Sequence, residues 1–247
     1  MNILITNDDG IYSPGLMSLA KIASRFGNVR VVAPDVEQSS MGHAITGSRQ
    51  LFYRKAPVNF GNIDAYKVNG TPADCVSLGT HLSNIDVVLS GINLGLNLGN
   101  SMWHSGTLAG AKQAVLLGVK GIALSTPAGD VEPDFAQLER YVESTLSILL
   151  QSKEVNLINV NIPPNPKGIK WTRQSVRQYD GKVMPGTDPK GRKHYWITVV
   201  PLEAAEEGTD RWAVEEGFVS MTPLRLDLTD EKELTKALVK EPFTFAV

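Results

Sequence analysis

Short β-rich segments alternate with helical patterns along the chain up to about residue 162. This alternation is typical of βαβ units, in which consecutive strands run parallel and helices pack on both faces of the sheet. It therefore predicts an α/β fold built on a mostly parallel sheet. The predicted strands are Asn2–Thr6, Val29–Ala33, Ala65–Val68, Asp86–Ser90, Gly121–Ser125 and Leu157–Ile162.

Two of the predicted helices begin with recognisable capping sequences. Ser13-Pro14 places a cap residue and an N1 proline before an apolar stripe, and Thr71 and Asp74 have the spacing of a capping box. We therefore interpret Asp74 as a helix cap rather than as a ligand.

The chain changes character after residue 163, where the breaker cluster Pro163–Gly168 ends the alternation. Beyond it, Trp171–Gln174 and Tyr195–Val200 are predicted to be strands of a separate β segment, with Gly181–Lys193 as a polar loop. A helix is predicted over Asp230–Leu238 near the end of the chain.

This change divides the chain into two predicted domains. Residues 1–163 are predicted to form the α/β domain, and residues 164–247 a C-terminal β arm with a terminal helix that could mediate oligomerisation. Exchange of such an arm between subunits is a low-cost route to a dimer. A hairpin folded back on its own domain fits the sequence equally well.

Composition excludes several classes of function. A formal net charge of −2 and a pI near 6.1 provide no basic face for a nucleic-acid polymer. No segment approaches the ~18 apolar residues of a membrane span, and no signal peptide is evident. Cys75 is the only cysteine, which excludes an internal disulfide. We expect a soluble cytoplasmic protein in which Cys75 is a buried structural thiol.

Asp8 and Asp9 directly follow the first predicted strand. An open parallel sheet binds ligands at the carboxyl ends of its strands, where glycine-rich loops commonly hold phosphate. Two carboxylates would repel phosphate unless a divalent cation lay between them. The alternative is a capping turn, in which one acid satisfies helix N–H groups and Gly10 supplies a positive φ. Because a cap needs only one acid, we favour the cation.

Further polar residues follow the other predicted strands. Asn93 lies in a glycine- and asparagine-rich loop and, with a serine hydroxyl, supplies neutral oxygen ligands that suit Mg²⁺, Mn²⁺ or Ca²⁺ rather than zinc. Asp35 follows the second strand, but no glycine fingerprint accompanies it, so we interpret it as a turn residue.

Ser105-Gly106-Thr107 precedes an alanine-rich helical pattern and can form an anion site, although an N-cap is the simpler interpretation. His43 and His104 flank this region and could bind substrate or act as acid or base, because imidazole titrates near neutrality. His81 and His194 are assigned structural or exposed positions.

Together these motifs, in this order, closely resemble the SurE family, the stationary-phase survival proteins. The resemblance covers nearly the whole chain. Its motifs are Asn7–Gly10, Ala33–Asp35 with Gln38-Ser39, Gly70–Val76, Ser90–Asn93 with Asn97–Gly99, Ser105–Thr107, Thr172–Ser175 and Gly217–Pro223.

The resemblance implies a Rossmann-like catalytic domain with a C-terminal β arm exchanged between subunits in dimers or tetramers. It implies a metal-dependent 5′-nucleotidase that hydrolyses nucleoside 5′- and also 3′-monophosphates, and short polyphosphate. One Mg²⁺ or Mn²⁺ per subunit is expected, with Ca²⁺ as an alternative occupant. The implied metal ligands are Asp8, Asp9, Ser39 and Asn93, and the implied phosphate contacts are Asn97, Ser105, Gly106 and Thr107.

One departure from the family pattern is visible at Ser40-Met41, where many members have glycine or alanine after the serine. For the reaction we expect in-line attack of water on phosphorus, with an aspartyl-phosphate route through Asp8 or Asp9 ranked second because no D-x-D motif is present. The alternative function is a nucleotide-binding regulator without turnover.

Overall fold

The structure is a computed structural model that describes residues 1–129, 133–152, 154–176, 179–201 and 204–239. Its strands are β1 (Asn2–Thr6), β2 (Asn28–Pro34), β3 (Tyr53–Lys55), β4 (Asp64–Val68), β5 (Val87–Leu94), β6 (Lys120–Thr126), β7 (Leu157–Asn161), β8 (Ile169–Trp171), β9 (Tyr179–Thr187), β10 (Lys193–Pro201) and β11 (Val219–Pro223). Its helices are α1 (Pro14–Ala23), α2 (Pro72–Leu82), α3 (Gly106–Leu116), α4 (Phe135–Gln151), α5 (Asp210–Glu215) and α6 (Glu231–Leu238), with a 3₁₀ turn at Gly99–Trp103.

Nine strands form the main sheet, in the order β3-β4-β2-β1-β5-β6-β7-β11-β8. The six strands from β4 to β7 along this order run parallel, whereas β3 and β11 are antiparallel to their neighbours β4 and β7. Strand β1 pairs with β2 on one side and with β5 on the other, so the strand order reverses at β1. The loop after β1 therefore opens at the topological switch point, where such sheets bind their ligands.

The core lies on both faces of this sheet. Because side chains alternate along a strand, Ile3 and Ile5 join the cluster covered by α1 and α4, while Leu4 joins the cluster covered by α2 and α3. The predicted α/β fold with helices on both faces is confirmed.

All six predicted β-rich segments are strands, and most differences lie at their ends. Strand β5 runs to Leu94, four residues beyond the predicted end at Ser90. Its pairing with β6 shifts register between Ser90 and Asn93, so the strand resumes after an irregularity. This shift brings Asn93 to the carboxyl edge of the sheet.

The C-terminal segment is divided differently from the prediction. Strands β8 and β11 belong to the main sheet, so placing Trp171–Gln174 in a separate β segment was wrong. Only β9 and β10 form a separate sheet, an antiparallel hairpin. The predicted polar loop Gly181–Lys193 was also wrong over most of its length, because β9 continues to Thr187. Exchange of the hairpin between subunits stays a prediction.

The helix starts follow the sequence signals. Thr71 and Asp74 form the predicted capping box, with the Thr71 hydroxyl and the Asp74 carboxylate each accepting a backbone N–H. Ser13 is the N-cap residue of α1, but its hydroxyl accepts no capping hydrogen bond. Among the described residues, no helix is long and apolar enough to cross a membrane.

Candidate active site

The turn after β1 is closed by Asn7 rather than by either acid. The Asn7 amide accepts from the Gly10 N–H at 3.2 Å and donates to the Gly10 carbonyl at 3.1 Å, and Gly10 has a φ of 92°. The positive φ at Gly10 is as the capping interpretation expects, but the acids do not cap α1. Both carboxylates are therefore available for another purpose.

Asp8 points toward the N-terminus of α3. Its Oδ1 accepts a 2.6 Å hydrogen bond from the Thr107 hydroxyl, and the backbone N–H groups of Gly106 and Thr107 also face the carboxylate. Burial raises the pKa of Asp8, and these hydrogen bonds offset part of that increase. The positive end of the α3 dipole further favours negative charge at this position.

Asp9 is only half-buried, yet its Oδ2 lies in the interior without a hydrogen-bond partner among the described residues. Burial, then repulsion from Asp8, raises the pKa of Asp9 to about 6, although the Leu94 N–H donates to its carboxylate. Glu37 contributes a smaller repulsion. Asp9 thus lacks donors in a region that Asp8 and Glu37 also make negative, an arrangement that a bound cation would relieve.

Ser105 and Gly106 form the start of α3, where Gly106 packs closely against Asp8. The Ser105 hydroxyl accepts from the Leu108 N–H at 3.0 Å, so Ser105 is the N-cap of α3, as the simpler interpretation expects. That hydroxyl still has a hydrogen to donate. A Cβ on Gly106 would lie 2.7 Å from the Asp8 Cβ, so only glycine allows α3 to approach the acid this closely.

Ser39 lies in the long irregular loop between β2 and β3. The loop is fixed to the acid turn by a 2.7 Å hydrogen bond from the Gln38 N–H to the Asp8 carbonyl. The exposed Ser39 hydroxyl donates to Glu37 Oε1 at 2.6 Å, which leaves its oxygen lone pairs available.

Asp74 holds the same loop from the other side. In addition to its capping role, its carboxylate accepts from the N–H and the hydroxyl of Thr46, at 2.8 and 2.7 Å. Burial alone would raise the pKa of Asp74, but the hydrogen bonds from Thr46 and Thr71 outweigh it and lower that pKa. The prediction that Asp74 caps α2 is confirmed, and the sequence did not reveal this second tether.

Asn93 is the last residue but one of β5, and Asn97 lies on the loop that follows. The Asn93 amide nitrogen donates to the Gly95 carbonyl at 2.6 Å, and no donor reaches its Oδ1 within the described part of the chain. The Asn97 amide nitrogen donates to Ser125 Oγ at 2.9 Å and approaches Thr107 Oγ1 at 3.5 Å. Asn93 therefore offers a free oxygen, whereas the Asn97 amide supports the wall of the site.

Sequence reasoning missed the residues that hold Asn97. Asn161 Oδ1 accepts from the Asn97 N–H at 2.9 Å, and the amides of Asn159 and Asn161 donate to the Asn97 carbonyl at 2.7 and 3.0 Å. All five residues of β7 are buried. Two asparagines within an otherwise apolar predicted strand are the signal that could have identified this support.

The histidines do not contact the acids within the described residues. His43 Nε2 lies 2.8 Å from Gln113 Oε1 on α3, and His104 is exposed beside Ser105. His81 is exposed at the end of α2, and His194 lies in the hairpin against Trp196.

Cys75 and Asp35 have the structural positions that the sequence predicts. Cys75 is fully buried, and burial raises its pKa well above the usual range. The Asp35 N–H donates to the Val68 carbonyl at 2.8 Å, immediately after β2.

The residues present suit a hard divalent cation. Among the described residues, no group of three or more His, Cys, Asp or Glu side chains could hold a metal ion. A cation at Asp8 and Asp9 would therefore take the unpartnered Asp9 Oδ2 and complete its shell with neutral oxygens. This oxygen-only donor set favours Mg²⁺, Mn²⁺ or Ca²⁺.

Comparison with known proteins gives a consistent set of relatives. The family model described as "Survival protein SurE" matches residues 3–181. The 5′-nucleotidase SurE 1 of Thermus thermophilus is 46% identical over 237 residues, which cover 93% of both chains. The 5′-nucleotidase SurE of Deinococcus radiodurans is 43% identical over 249 residues, which cover 96% of this chain and 92% of the relative.

The fold has a solved counterpart as well. The crystal structure of the SurE protein from Aquifex aeolicus matches with a TM-score of 0.83 at 40% sequence identity. The match covers 97% of this chain and 100% of the Aquifex chain.

Proposed function

This chain belongs to the SurE family, and we propose that it is a metal-dependent 5′-nucleotidase that hydrolyses nucleoside monophosphates to nucleoside and phosphate. Relatives that are 46% and 43% identical are named as 5′-nucleotidases, which supports the nucleotidase activity. The observation that carries the site assignment is the pair Asp8 and Asp9, with an unpartnered carboxylate oxygen, at the N-terminus of α3. We extend the proposal to 3′-monophosphates and short polyphosphate on the resemblance alone.

In the proposed site, Asp8, Asp9, Ser39 and Asn93 would hold one divalent ion, Mg²⁺ or Mn²⁺ in preference to Ca²⁺. The ion would supply positive charge for the phosphoryl oxygens and make water more acidic. Thr107 fixes the orientation of Asp8 through its 2.6 Å hydrogen bond. The acid pair then serves to bind the ion rather than to cap a helix.

The N-terminus of α3 is the proposed phosphate site. The Ser105 hydroxyl has a hydrogen to donate, and Gly106 keeps the backbone close to the acids. The Gly106 and Thr107 N–H groups already face the Asp8 carboxylate, and the Leu108 N–H donates to Ser105. The donor left for the phosphate is therefore the Ser105 hydroxyl, supported by the positive end of the α3 dipole and by the proposed ion. We assign His43 and His104 to substrate binding at the rim, because both are exposed, His104 directly precedes Ser105, and the Gly42 N–H next to His43 donates to the His104 carbonyl.

Direct attack by water is favoured over an aspartyl-phosphate intermediate. The Asp8 carboxylate already accepts hydrogen bonds from Thr107 and faces the α3 N–H groups, which reduces its nucleophilicity. We therefore expect no transfer of the phosphoryl group from AMP to glycerol. Formation of glycerol phosphate during turnover would instead favour the covalent route.

We also propose that the β9–β10 hairpin joins subunits into a dimer or tetramer. Its exposed apolar side chains are Val183, Met184, Tyr195, Trp196 and Ile197. Val183, Tyr195 and Ile197 share one face of the hairpin and Met184 and Trp196 share the other, so a two-stranded element exposes apolar side chains on both faces, as is typical of an interface. A cytoplasmic location is proposed from the single, buried cysteine.

Phosphate release from AMP tests the proposed function. The full-length protein should release phosphate with Mn²⁺ or Mg²⁺ and lose this activity with chelator. The variant Asp8→Asn should be inactive. Asp64→Asn should match the parent, because Asp64 is an exposed acid at the start of β4, at the amino ends of the parallel strands and away from the site. Nucleotide binding without phosphate release would identify a regulator instead, and chelator-resistant hydrolysis would contradict the metal assignment.

A further inference from the structure

Trp103 stands out as a large aromatic side chain exposed beside the candidate site. The indole is 54% exposed, and an exposed aromatic ring beside a ligand site offers a surface on which a base can stack. It lies two residues before Ser105, so its Cα is at most about 7 Å from that of the α3 cap. The backbone that carries the ring is thus close to the proposed phosphate site.

The backbone that carries Trp103 is firmly held. Its 3₁₀ turn begins at Gly99, whose N–H donates to the buried Asp210 carboxylate at 2.8 Å, and the neighbouring Met102 is buried. After Trp103, the His104 carbonyl accepts from the Gly42 N–H at 2.9 Å. An aromatic ring on a rigid backbone loses little conformational entropy when a ligand stacks on it.

Lys112 occupies one side of the ring. Its Nζ lies 5.3 Å from the Trp103 ring centroid, and no carboxylate pairs with it among the described residues. Burial lowers the pKa of Lys112. The ammonium therefore lies against the indole, and about half of the residue's surface stays exposed beside it.

We propose that Trp103 is the platform on which the nucleobase of the substrate stacks, with Lys112 bracing the ring from behind. This inference rests on the proposed nucleotidase function and adds to it a binding site for the base. With the phosphate at the N-terminus of α3, the ribose would span the short distance to the indole. Stacking on an aromatic ring accepts every base, so the platform favours nucleotides over simpler phosphate esters without selecting one base.

The test compares AMP with ribose 5-phosphate, which carries the same ester without the base. In Trp103→Ala at saturating Mn²⁺, the KM for AMP should rise about tenfold, while that for ribose 5-phosphate stays within about twofold of the parent. The kcat values should change little, because the indole does not contact the reacting atoms. Trp103→Phe should restore most of the preference for AMP.

Trp171→Ala is the matched control, because this indole is 52% exposed on strand β8 at the far edge of the sheet. It should leave both KM values unchanged. An equal change in the two KM values of Trp103→Ala, or no change in either, would overturn the proposal.

A fluorescence titration separates this inference from the nucleotidase proposal. A non-hydrolysable phosphonate analogue of AMP should quench indole fluorescence in the parent and in Trp171→Phe, but not in Trp103→Phe. If the parent hydrolyses neither ester, the proposed function fails, and the titration still decides whether Trp103 binds the base. Equal quenching in Trp103→Phe and the parent would exclude the platform.

Discussion

The raised pKa of Asp9 predicts that this acid destabilises the protein when no cation is bound. A carboxyl group whose pKa is about 6 in the folded chain, against 3.8 in the free side chain, is disfavoured as an anion by about 3 kcal/mol. Contact with solvent reduces this cost to about 1–2 kcal/mol, because water screens the half-buried group. Asp9→Asn removes the charge and keeps an oxygen that can accept from the Leu94 N–H.

The sign of the pH dependence follows from proton linkage. Because the folded pKa of Asp9 lies above the unfolded value, the folded state binds more protons between about pH 4 and pH 6. The metal-free protein therefore loses stability as the pH rises through this window and Asp9 becomes charged. The stability gain of Asp9→Asn over the parent should be complete at about pH 7.5 and mostly lost at about pH 4.

Urea unfolding of the chelator-treated protein measures this effect. At about pH 7.5 the free energy of unfolding of Asp9→Asn should exceed that of the parent by about 1–2 kcal/mol, at equal protein concentration. Adding Mn²⁺ should reverse the order, because only the parent retains the full ligand set. A metal-free Asp9→Asn protein less stable than the parent at about pH 7.5 would refute this reasoning.

Three further predictions concern the N-terminus of α3 and the hairpin. Ser105→Asp keeps a capping residue but repels the negative charge of the substrate, so phosphate affinity should collapse. Mn²⁺ affinity, measured by calorimetry, should stay within about tenfold of the parent. Retained phosphate binding would show that Ser105 acts only as a helix cap. Gly106→Ala would place a Cβ 2.7 Å from the Asp8 Cβ and should reduce kcat/KM about 100-fold. The control Gly47→Ala, with no neighbour within 4 Å, should match the parent. Equal activities of the two variants would show that α3 can shift away from Asp8 without loss of function. Replacing residues 179–201 by a short Gly-Ser linker should give a folded monomer in sedimentation, and an unchanged oligomer would exclude the hairpin as the interface.

Local signals allowed much of the fold to be predicted. The alternation of β-rich and helical segments located all six predicted strands, and the Thr71–Asp74 spacing identified a capping box that the structure contains. Strand β8 was misplaced because it has three residues and pairs in parallel with β11, about 50 residues later in the chain. Partners so distant leave no periodic signal in a short segment.

The candidate site was predictable as a set of residues but not as a network. The adjacency of Asp8 and Asp9 after a strand was sufficient to predict where they lie. That Asn7 closes the turn, and that Asn161 holds the backbone of Asn97, depends on which side chains face one another in space. Sequence spacing cannot supply that information across the 64 residues between Asn97 and Asn161.

Calorimetric titration of the metal-free, full-length protein with Mn²⁺ tests the central claim most directly. The claim is that Asp8 and Asp9 form one cation site, which Asp9 completes with its unpartnered oxygen. We predict one Mn²⁺ per chain in the parent, and binding at least about 100-fold weaker in Asp9→Asn, a loss of about 2.7 kcal/mol. Absence of Mn²⁺ binding in the parent, or equal affinity in Asp9→Asn, would contradict the account.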